Sequence, residues 1–385
     1  MRILVDENIP QGREVFSAYG DVVTFHGRQV TAADVKDADA LLVRSITKVN
    51  AALLDGSKVK FVGTATIGVD HIDQEYLKAR DIGFSAAPGC NARSVAEYFV
   101  AALLHLHVKR GLCPEGFEGK TLGVVGYGNV GKSVATIAPA LGLKVIVSDP
   151  PLQDAGLLDE SLTLRELCQR ADIVTCHAPL TKTGPHPTFG MVSAAVFGAW
   201  KSPKALLNMG RGEVIDAPAL LAARAAGKVP HLALDVFPHE PNVEAELVEA
   251  CDLASPHIAG YSIRGKLNGT TQIHEAFRAH FGLESRAAVA YPVPERPVIA
   301  AKPTGNPSEN VGADLHEIVR TVYDIARDDA ELRAGIGGEN FGAHFDQLRK
   351  KYPVRHEFAS FRVTGVSGGS DVLRQRLTAL GFSVF

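Results

Sequence analysis

Arg211, Glu240 and His257 are the residues of this chain whose types and order could carry out acid–base chemistry on a small anion. They lie in three short segments: Asn208-Met209-Gly210-Arg211-Gly212, Leu234-Asp235-Val236-Phe237-Pro238-His239-Glu240-Pro241 and Ser255-Pro256-His257-Ile258-Ala259-Gly260. Oxidising a secondary alcohol requires a base for the hydroxyl proton, an acceptor for the hydride and a cation to orient a carboxylate. An imidazole titrates near physiological pH, which suits His257 to the proton. A carboxylate beside it, Glu240, would fix its tautomer. Arg211 offers a planar fork that can grip a carboxylate through two hydrogen bonds and polarise a developing carbonyl. Taken singly, each residue has a plainer reading. A histidine after proline is commonly a loop or core residue, and an arginine between two glycines is commonly an exposed turn. Their order, downstream of a nucleotide-binding signature, sets them apart.

That signature is Gly126-Tyr127-Gly128-Asn129-Val130-Gly131, which follows a strand-like run and precedes a helical stretch, Ser133–Leu141. The pattern alone is weak. Here a second strand, Leu143–Ser148, ends in Asp149, eighteen positions past Gly131, as a βαβ dinucleotide site requires. The glycines permit a tight turn and let backbone N–H groups approach a pyrophosphate at a helix N-terminus. Asp149 can accept hydrogen bonds from both adenosine ribose hydroxyls and would repel a 2′-phosphate, so NAD is favoured over NADP.

Strand-like runs at Ile3–Val5, Asp21–Thr24, Ala40–Val43, Phe61–Gly63 and Gly83–Ala86 alternate with helical stretches such as Ala51–Leu54 and Gln74–Ala79. Alternation of this kind implies parallel sheets covered by helices on both faces, an α/β fold. Asn91 to Val108 reads as one long helix, with Asn91 or Ser94 as its cap and Glu97 in its first turn. A second strand–helix series runs from Thr121 to about Ile258. Proline-rich connections at 291–298 and 302–307 then lead to helices at Asp314–Arg327 and Phe345–Lys351, a strand at Glu357–Val363, a helix at Asp371–Leu380 and a last apolar run. This reads as a small α+β module. Its blocks Arg327-Asp328-Asp329 and Arg349-Lys350-Lys351 read as solvated helix faces.

With 385 residues, two or three compact units are expected. A net charge of −3 gives no general basis for holding nucleic acid or an anionic membrane, so anionic ligands must be bound by local arginines and helix N-termini. The five cysteines have no C-x-x-C spacing, which speaks against a disulfide framework or structural zinc and suits a reducing compartment. No metal is expected. Met1 to Glu7 lacks the features of a signal peptide. The apolar stretch 95–108 carries Glu97, His105 and His107 and is too short to span a bilayer. A cytoplasmic location is the expectation.

These segments, with Gly68-Val69-Asp70-His71-Ile72-Asp73, Asn91–Glu97 and Asp172–Leu180, resemble the D-isomer-specific 2-hydroxyacid dehydrogenase family from the start of the chain to about position 280. By that resemblance Arg211, Glu240 and His257 take the catalytic roles, and Asp235, Gly260, Ala178 and Met209 join Gly126, Gly128, Asn129, Val130, Gly131 and Asp149 as cofactor contacts. The resemblance also implies a Rossmann-type NAD domain (94–264) inserted in a flavodoxin-like substrate domain (1–93 and 265–285). Residues 286–385 would form a C-terminal dimerisation domain in a homodimer.

Within the family, His257-Ile258-Ala259-Gly260-Tyr261-Ser262-Ile263-Arg264-Gly265-Lys266, followed by Gly269-Thr270-Thr271-Gln272, resembles the members acting on a phosphorylated four-carbon acid. The implied reaction is oxidation of 4-phospho-D-erythronate to 2-oxo-3-hydroxy-4-phosphobutanoate in the pyridoxal 5′-phosphate pathway. Ser45, Thr66 and Tyr261 would then contact substrate, with Arg44, Arg264 and Lys266 as candidates for its phosphate. Arg44 reads equally well as a strand-end salt bridge, and Tyr261 as packing. His71 and His177 read as satisfying backbone groups, and Cys90 as packing. Met209 and Trp200-Lys201-Ser202-Pro203-Lys204 depart from the commonest family pattern at the nicotinamide end. Two other readings stand beside this one: a 3-phosphoglycerate dehydrogenase, and a non-enzymatic NAD-sensing binding protein on the same fold.

Overall fold

Side chains alternate across an extended strand, so a strand apolar at every position must be covered on both faces. Ile3 and Val5 belong to one buried cluster and Leu4, between them, to another. Leu42 likewise faces away from Leu41 and Val43. The computed structural model describes residues 1–295, 297–302, 311–366 and 371–385, and among these the strands form three sheets. Most of the expected proline-rich connection 302–307 lies outside the described residues.

Met1–Asn91 and Tyr261–Pro292 make up one compact unit. Its strands are β1 (Arg2–Asp6), β2 (Asp21–Phe25), β3 (Ala40–Val43), β4 (Phe61–Thr64) and β5 (Gly83–Ser85), all parallel in the order β2-β1-β3-β4-β5. This is the flavodoxin-like order, with its switch point between β1 and β3. The helix Ile263–Phe281 covers one face. Its Phe277 meets Phe16 edge-on at 5.3 Å and Phe61 at 6.0 Å.

Ala92–Gly260 and Val293–Phe385 form the other unit. Here β6 (Thr121–Val125), β7 (Lys144–Ser148), β8 (Ile173–Cys176), β9 (Ala205–Asn208), β10 (His231–Leu234) and β11 (Leu253–Ala254) are parallel in the order β11-β10-β9-β8-β6-β7. Strand order reverses between β6 and β8, where a doubly wound sheet binds its nucleotide. A smaller parallel sheet pairs β12 (Val298–Ala300), β13 (Arg362–Thr364) and β14 (Ser383–Val384). Val293–Phe385, most of the stretch expected as a C-terminal module, lies in one compact unit with the nucleotide-binding segment. Leu332 and Phe345 sit in one core with Leu206, Leu234 and Phe237.

Three local expectations need correction. The helix read over Asp314–Arg327 is two helices, Val311–Val322 and Ile325–Arg333. They part where the buried Tyr323 turns its hydroxyl onto Asp328, so 328–329 is no solvated face. Ser94 does not cap the long helix Ala92–Arg110, because its buried hydroxyl donates to the Ala259 carbonyl at 2.9 Å. The strand read over Glu357–Val363 begins only at Arg362, after a 3₁₀ turn at Phe358–Ser360.

Candidate active site

The three segments that carry Arg211, Glu240 and His257 leave the carboxyl ends of β9, β10 and β11, which are neighbours in the sheet. Arg211 stands three residues past β9, in a turn framed by Asn208, whose Nδ2 donates to the Arg211 carbonyl at 2.9 Å and whose Oδ1 accepts from Gly210 N at 3.0 Å. Both flanking glycines are required by close approach. A Cβ on Gly210 would lie 2.9 Å from the Ala178 carbonyl oxygen, and one on Gly212 would lie 2.0 Å from the Phe237 carbonyl carbon. The Arg211 turn is thereby wedged between the loop after β8 and the loop that carries Glu240.

His257 Nδ1 lies 2.7 Å from Glu240 Oε2, and Glu240 Oε1 accepts from Phe237 N at 2.9 Å. Burial alone would raise the Glu240 carboxyl, but the charge of His257 and its hydrogen bond, with the charge of Arg349 and the Phe237 N–H, together hold it below the ordinary value. The pair therefore keeps a carboxylate on Nδ1. His257 is 30% exposed, so its ring remains accessible. Its backbone is left-handed (φ 56°), as is that of His239 beside Glu240 (φ 62°). Such conformations in non-glycine residues persist where the surroundings over-determine them.

Asp235 supplies much of that constraint. It is 1% exposed, and Oδ1 accepts from Ser255 Oγ at 2.6 Å and from Ile258 N at 2.8 Å, while Oδ2 accepts from Ala259 N at 2.9 Å. Two of these donors directly follow His257. Burial pushes the Asp235 carboxyl up to about 6, against the pull of His257 and the three donors. Sequence reasoning assigned Asp235 to the cofactor. The structure gives it a second task, anchoring the His257 loop, which no sequence spacing signals.

The glycine signature forms the turn between β6 and the helix Asn129–Ile137. Gly126 is left-handed (φ 86°), and a Cβ there would meet Ala178 N at 2.6 Å, which places Ala178 against the signature. A Cβ on Gly131 would strike the Gly126 carbonyl oxygen at 2.0 Å, whereas one on Gly128 would meet nothing within 4 Å. Gly128 therefore opens onto a space the protein leaves clear at a helix N-terminus that has no side-chain cap. The N–H groups of that first turn suit an anion such as a pyrophosphate. Asp149 follows β7 as expected. Its Oδ2 accepts from Tyr127 N at 2.7 Å and its Oδ1 caps the next helix through Leu152 N at 3.0 Å, so it braces the signature loop as well as offering lone pairs to a ribose. These residues fit a dinucleotide.

Val130 lies in the first turn of the helix after the signature, and Met209 is buried next to the Arg211 turn, with its N–H on the Cys176 carbonyl at 3.1 Å. Gly260 closes the His257 loop. His177 is not a backbone partner, contrary to expectation. Its Nε2 lies 3.0 Å from Thr175 Oγ1, and burial drives its pKa down to about 3, leaving a neutral ring.

In the other unit, Arg44 and Ser45 follow β3 and Thr66 follows β4, again at carboxyl ends. Two cations lie against the ring of Tyr261, with Arg44 Cζ 5.5 Å and Lys266 Nζ 4.3 Å from its centroid. Arg44 donates to the Asn8 carbonyl at 3.0 Å. Arg264 is drawn elsewhere, onto Tyr291 at 5.1 Å. Ser45 is exposed, and Thr66 Oγ1 lies 2.8 Å from Thr64 Oγ1, which in turn lies 3.1 Å from His71 Nε2. His71 thus meets a threonine hydroxyl. Burial raises the Cys90 thiol to about 11, in keeping with packing.

Comparison with known proteins adds to this geometry. Residues 101–259 match the model of the D-isomer specific 2-hydroxyacid dehydrogenase NAD-binding domain, and residues 294–381 match a domain of unknown function, DUF3410. The chain is 42% identical to the erythronate-4-phosphate dehydrogenase of Marinobacter nauticus over all of both chains. It is 45% identical to that of Citrobacter koseri, covering 98% of this chain and 97% of the relative. Among solved structures, D-lactate dehydrogenase of Aquifex aeolicus with NAD and lactic acid aligns with TM-score 0.61 and 26% identity, over 73% of this chain and 95% of that one. The NAD-bound 3-phosphoglycerate dehydrogenase of Entamoeba histolytica aligns with TM-score 0.62 and 26% identity, over the same shares of each chain. Among the described residues no helix is long and apolar enough to cross a membrane. The chain is an NAD-dependent enzyme that belongs to the erythronate-4-phosphate dehydrogenases of the D-isomer specific 2-hydroxyacid dehydrogenase family.

Proposed function

We propose that this enzyme oxidises 4-phospho-D-erythronate to 2-oxo-3-hydroxy-4-phosphobutanoate, a step toward pyridoxal 5′-phosphate. The observation that carries the mechanism is the 2.7 Å contact between Glu240 Oε2 and His257 Nδ1. It commits Nδ1–H to the carboxylate and leaves Nε2 as the nitrogen that accepts the C2 hydroxyl proton. Glu240 then stabilises the imidazolium. Arg211 binds the substrate carboxylate and polarises the oxygen that becomes the ketone. Bound NAD supplies the acceptor for the hydride that leaves C2. Gly126 to Gly131 would seat its pyrophosphate, Asp149 its adenosine ribose, and Ala178, Met209, Asp235 and Gly260 its nicotinamide end. Ser45, Thr66 and Tyr261 contact substrate, and Arg44 with Lys266 answers the charge of the 4-phosphate.

A homodimer in the cytoplasm completes the reading. Val293, Val298, Val354, Val372 and Phe385 leave apolar surface exposed on the last hundred residues, which suits them to cover one another in a second copy.

The test is oxidation of 4-phospho-D-erythronate against 3-phospho-D-glycerate by the purified protein, with NADH followed directly and a 2-oxo acid added as alternative acceptor. A clear preference for the four-carbon substrate is expected. Preference for the three-carbon acid would keep the mechanism and change the substrate, and activity on neither would leave an NAD-binding protein without this chemistry.

A further inference from the structure

The loop that carries His257 is held at both ends by the last hundred residues. Where the loop starts, Asp329 Oδ1 accepts from Ala254 N at 2.7 Å. Arg333 holds that aspartate, with Nε 2.9 Å from each carboxylate oxygen, and donates to the carbonyls of Val248 and Cys251 at 3.0 and 2.9 Å, just ahead of β11. Where the loop ends, the Ala259 carbonyl accepts from Arg355, which also donates to Ser94 Oγ at 2.5 Å. Arg355 is 7% exposed and lies over the ring of Tyr323, 4.4 Å from its centroid. Both of its hydrogen bonds run through one terminal nitrogen, and the other has no partner among the described residues. A guanidinium leaves water only where its donors and charge are answered. Here one of the two acceptors is a backbone carbonyl of the catalytic loop.

The Glu240 side is seated in the same way. The helix Phe341–Lys350 brings Phe345 edge-on to Phe237 at 6.5 Å, and Phe237 N is the donor to Glu240 Oε1. A Cβ on Gly342 would fall 2.4 Å from Asn242 Oδ1 and 3.3 Å from the Pro241 carbonyl oxygen, so this helix lies directly on the turn after Glu240.

We propose that the segment 325–355 sets the geometry of the His257–Glu240 pair, with Asp329 and Arg355 as positioning residues for the His257 loop and the helix Phe341–Lys350 as the seat of the Glu240 turn. The proposal rests on the reading of His257 as proton acceptor. It gives the C-terminal segment a part in turnover that is separate from any part in dimerisation. A left-handed histidine backbone needs such fixed ends, since the loop would relax toward ordinary φ without them.

The experiment uses full-length protein and compares Arg355→Met, Arg355→Lys and His257→Ala for kcat, KM, the pH profile of kcat and NAD affinity. Arg355→Met is expected to lower kcat by about tenfold to a hundredfold, the range for misplacing a catalytic group by up to ~1 Å. It should also shift the pH profile and leave NAD affinity unchanged, while Arg355→Lys recovers part of the loss. On a His257→Ala background the same change should cost nothing further, because the group it positions is gone. Lost NAD affinity with unchanged kcat, or an equal further loss on that background, overturns the proposal. Turnover retained by His257→Ala alone refutes the base assignment, a distinct result, and the proposal falls with it. If Arg355→Met does not fold, Asp329→Asn and Asp329→Ala decide: asparagine keeps an oxygen for Ala254 N and should recover kcat relative to alanine. Equal kcat for the two overturns the proposal.

Discussion

His257 and Glu240 meet at 2.7 Å through Nδ1 and Oε2, and both are delivered by left-handed backbone, His257 by its own φ of 56° and Glu240 by the preceding His239 at 62°. Residues held in that region cost on the order of 1–3 kcal/mol each. The fold sustains this at the two loops that carry the proposed base and its orienting carboxylate. His257→Ala is expected to lower kcat by at least about a hundredfold, as loss of a general base does. NAD affinity, measured by fluorescence titration, should stay at the wild-type value. Retained turnover would remove His257 from the mechanism.

Of the three signature glycines, Gly126 and Gly131 are required by the fold, and Gly128 leaves room for a ligand. Gly131→Ala drives a methyl into the Gly126 carbonyl, 2.0 Å away, and should lower Tm and NAD affinity together. Gly128→Ala meets no protein atom within 4 Å and should leave Tm unchanged while weakening NAD. Thermal melts and titrations on both variants check the pair. An unchanged NAD affinity in Gly128→Ala would show that the pyrophosphate lies elsewhere.

Asp149 holds Tyr127 N and caps the next helix, and substitution should separate this support from the ribose contact proposed for it. Asp149→Ala removes a ribose acceptor and a helix cap, so NAD should bind more weakly, the penalty on NADP should relax, and stability should fall by about 1 kcal/mol. Asp149→Asn keeps an oxygen for a backbone N–H and should recover the stability without restoring discrimination. The measurement is the ratio of kcat/KM for the two cofactors beside a denaturation curve. A variant that discriminates as strongly as wild type would mean that Asp149 does not read the ribose.

Buried Glu97 gives the fold a pH dependence of defined sign. Burial raises its carboxyl from 4.5 to about 8, Glu357 adds to the effect, and the ion pair with Arg93 at 2.8 Å opposes it. Between those values the folded chain holds a proton that the unfolded chain has released. The stability linked to Glu97 is therefore full below pH 4.5 and is lost as the pH rises through 8. Glu97→Gln, neutral at every pH, should show a flatter decline of Tm across that interval than wild type. Parallel declines would place the proton on another group.

Much of this was legible in the chain. Ala51–Leu54 and Gln74–Ala79 are helices with the bounds read from the sequence, and β3 and the strand ahead of the signature fall where apolar runs meet turn residues. Helices Gly12–Phe16 and Ala32–Val35 were not among the helices read from the sequence. Arg211, Glu240 and His257 could be singled out because each lies on the loop that follows a strand. What could not be read is why those loops hold their shape. Asp328 and Asp329 look like the wet side of a helix, yet their partners are Tyr323, Tyr352 and the N–H of Ala254, two of them distant in sequence. The glycines around Arg211 look like freedom, and the structure uses them as clearance. Partnerships of this kind depend on tertiary approach, which no periodicity encodes.

All five thiols lie in the interior, and burial lifts each above the ordinary thiol range, Cys90 and Cys113 to about 11. At neutral pH almost none of them is thiolate, the form that reacts with maleimides and peroxides. The native chain is thereby a quiet chemical background. A lone cysteine introduced at an exposed site such as Leu157 would take a fluorophore or spin label by itself, with no need to strip the natural ones first.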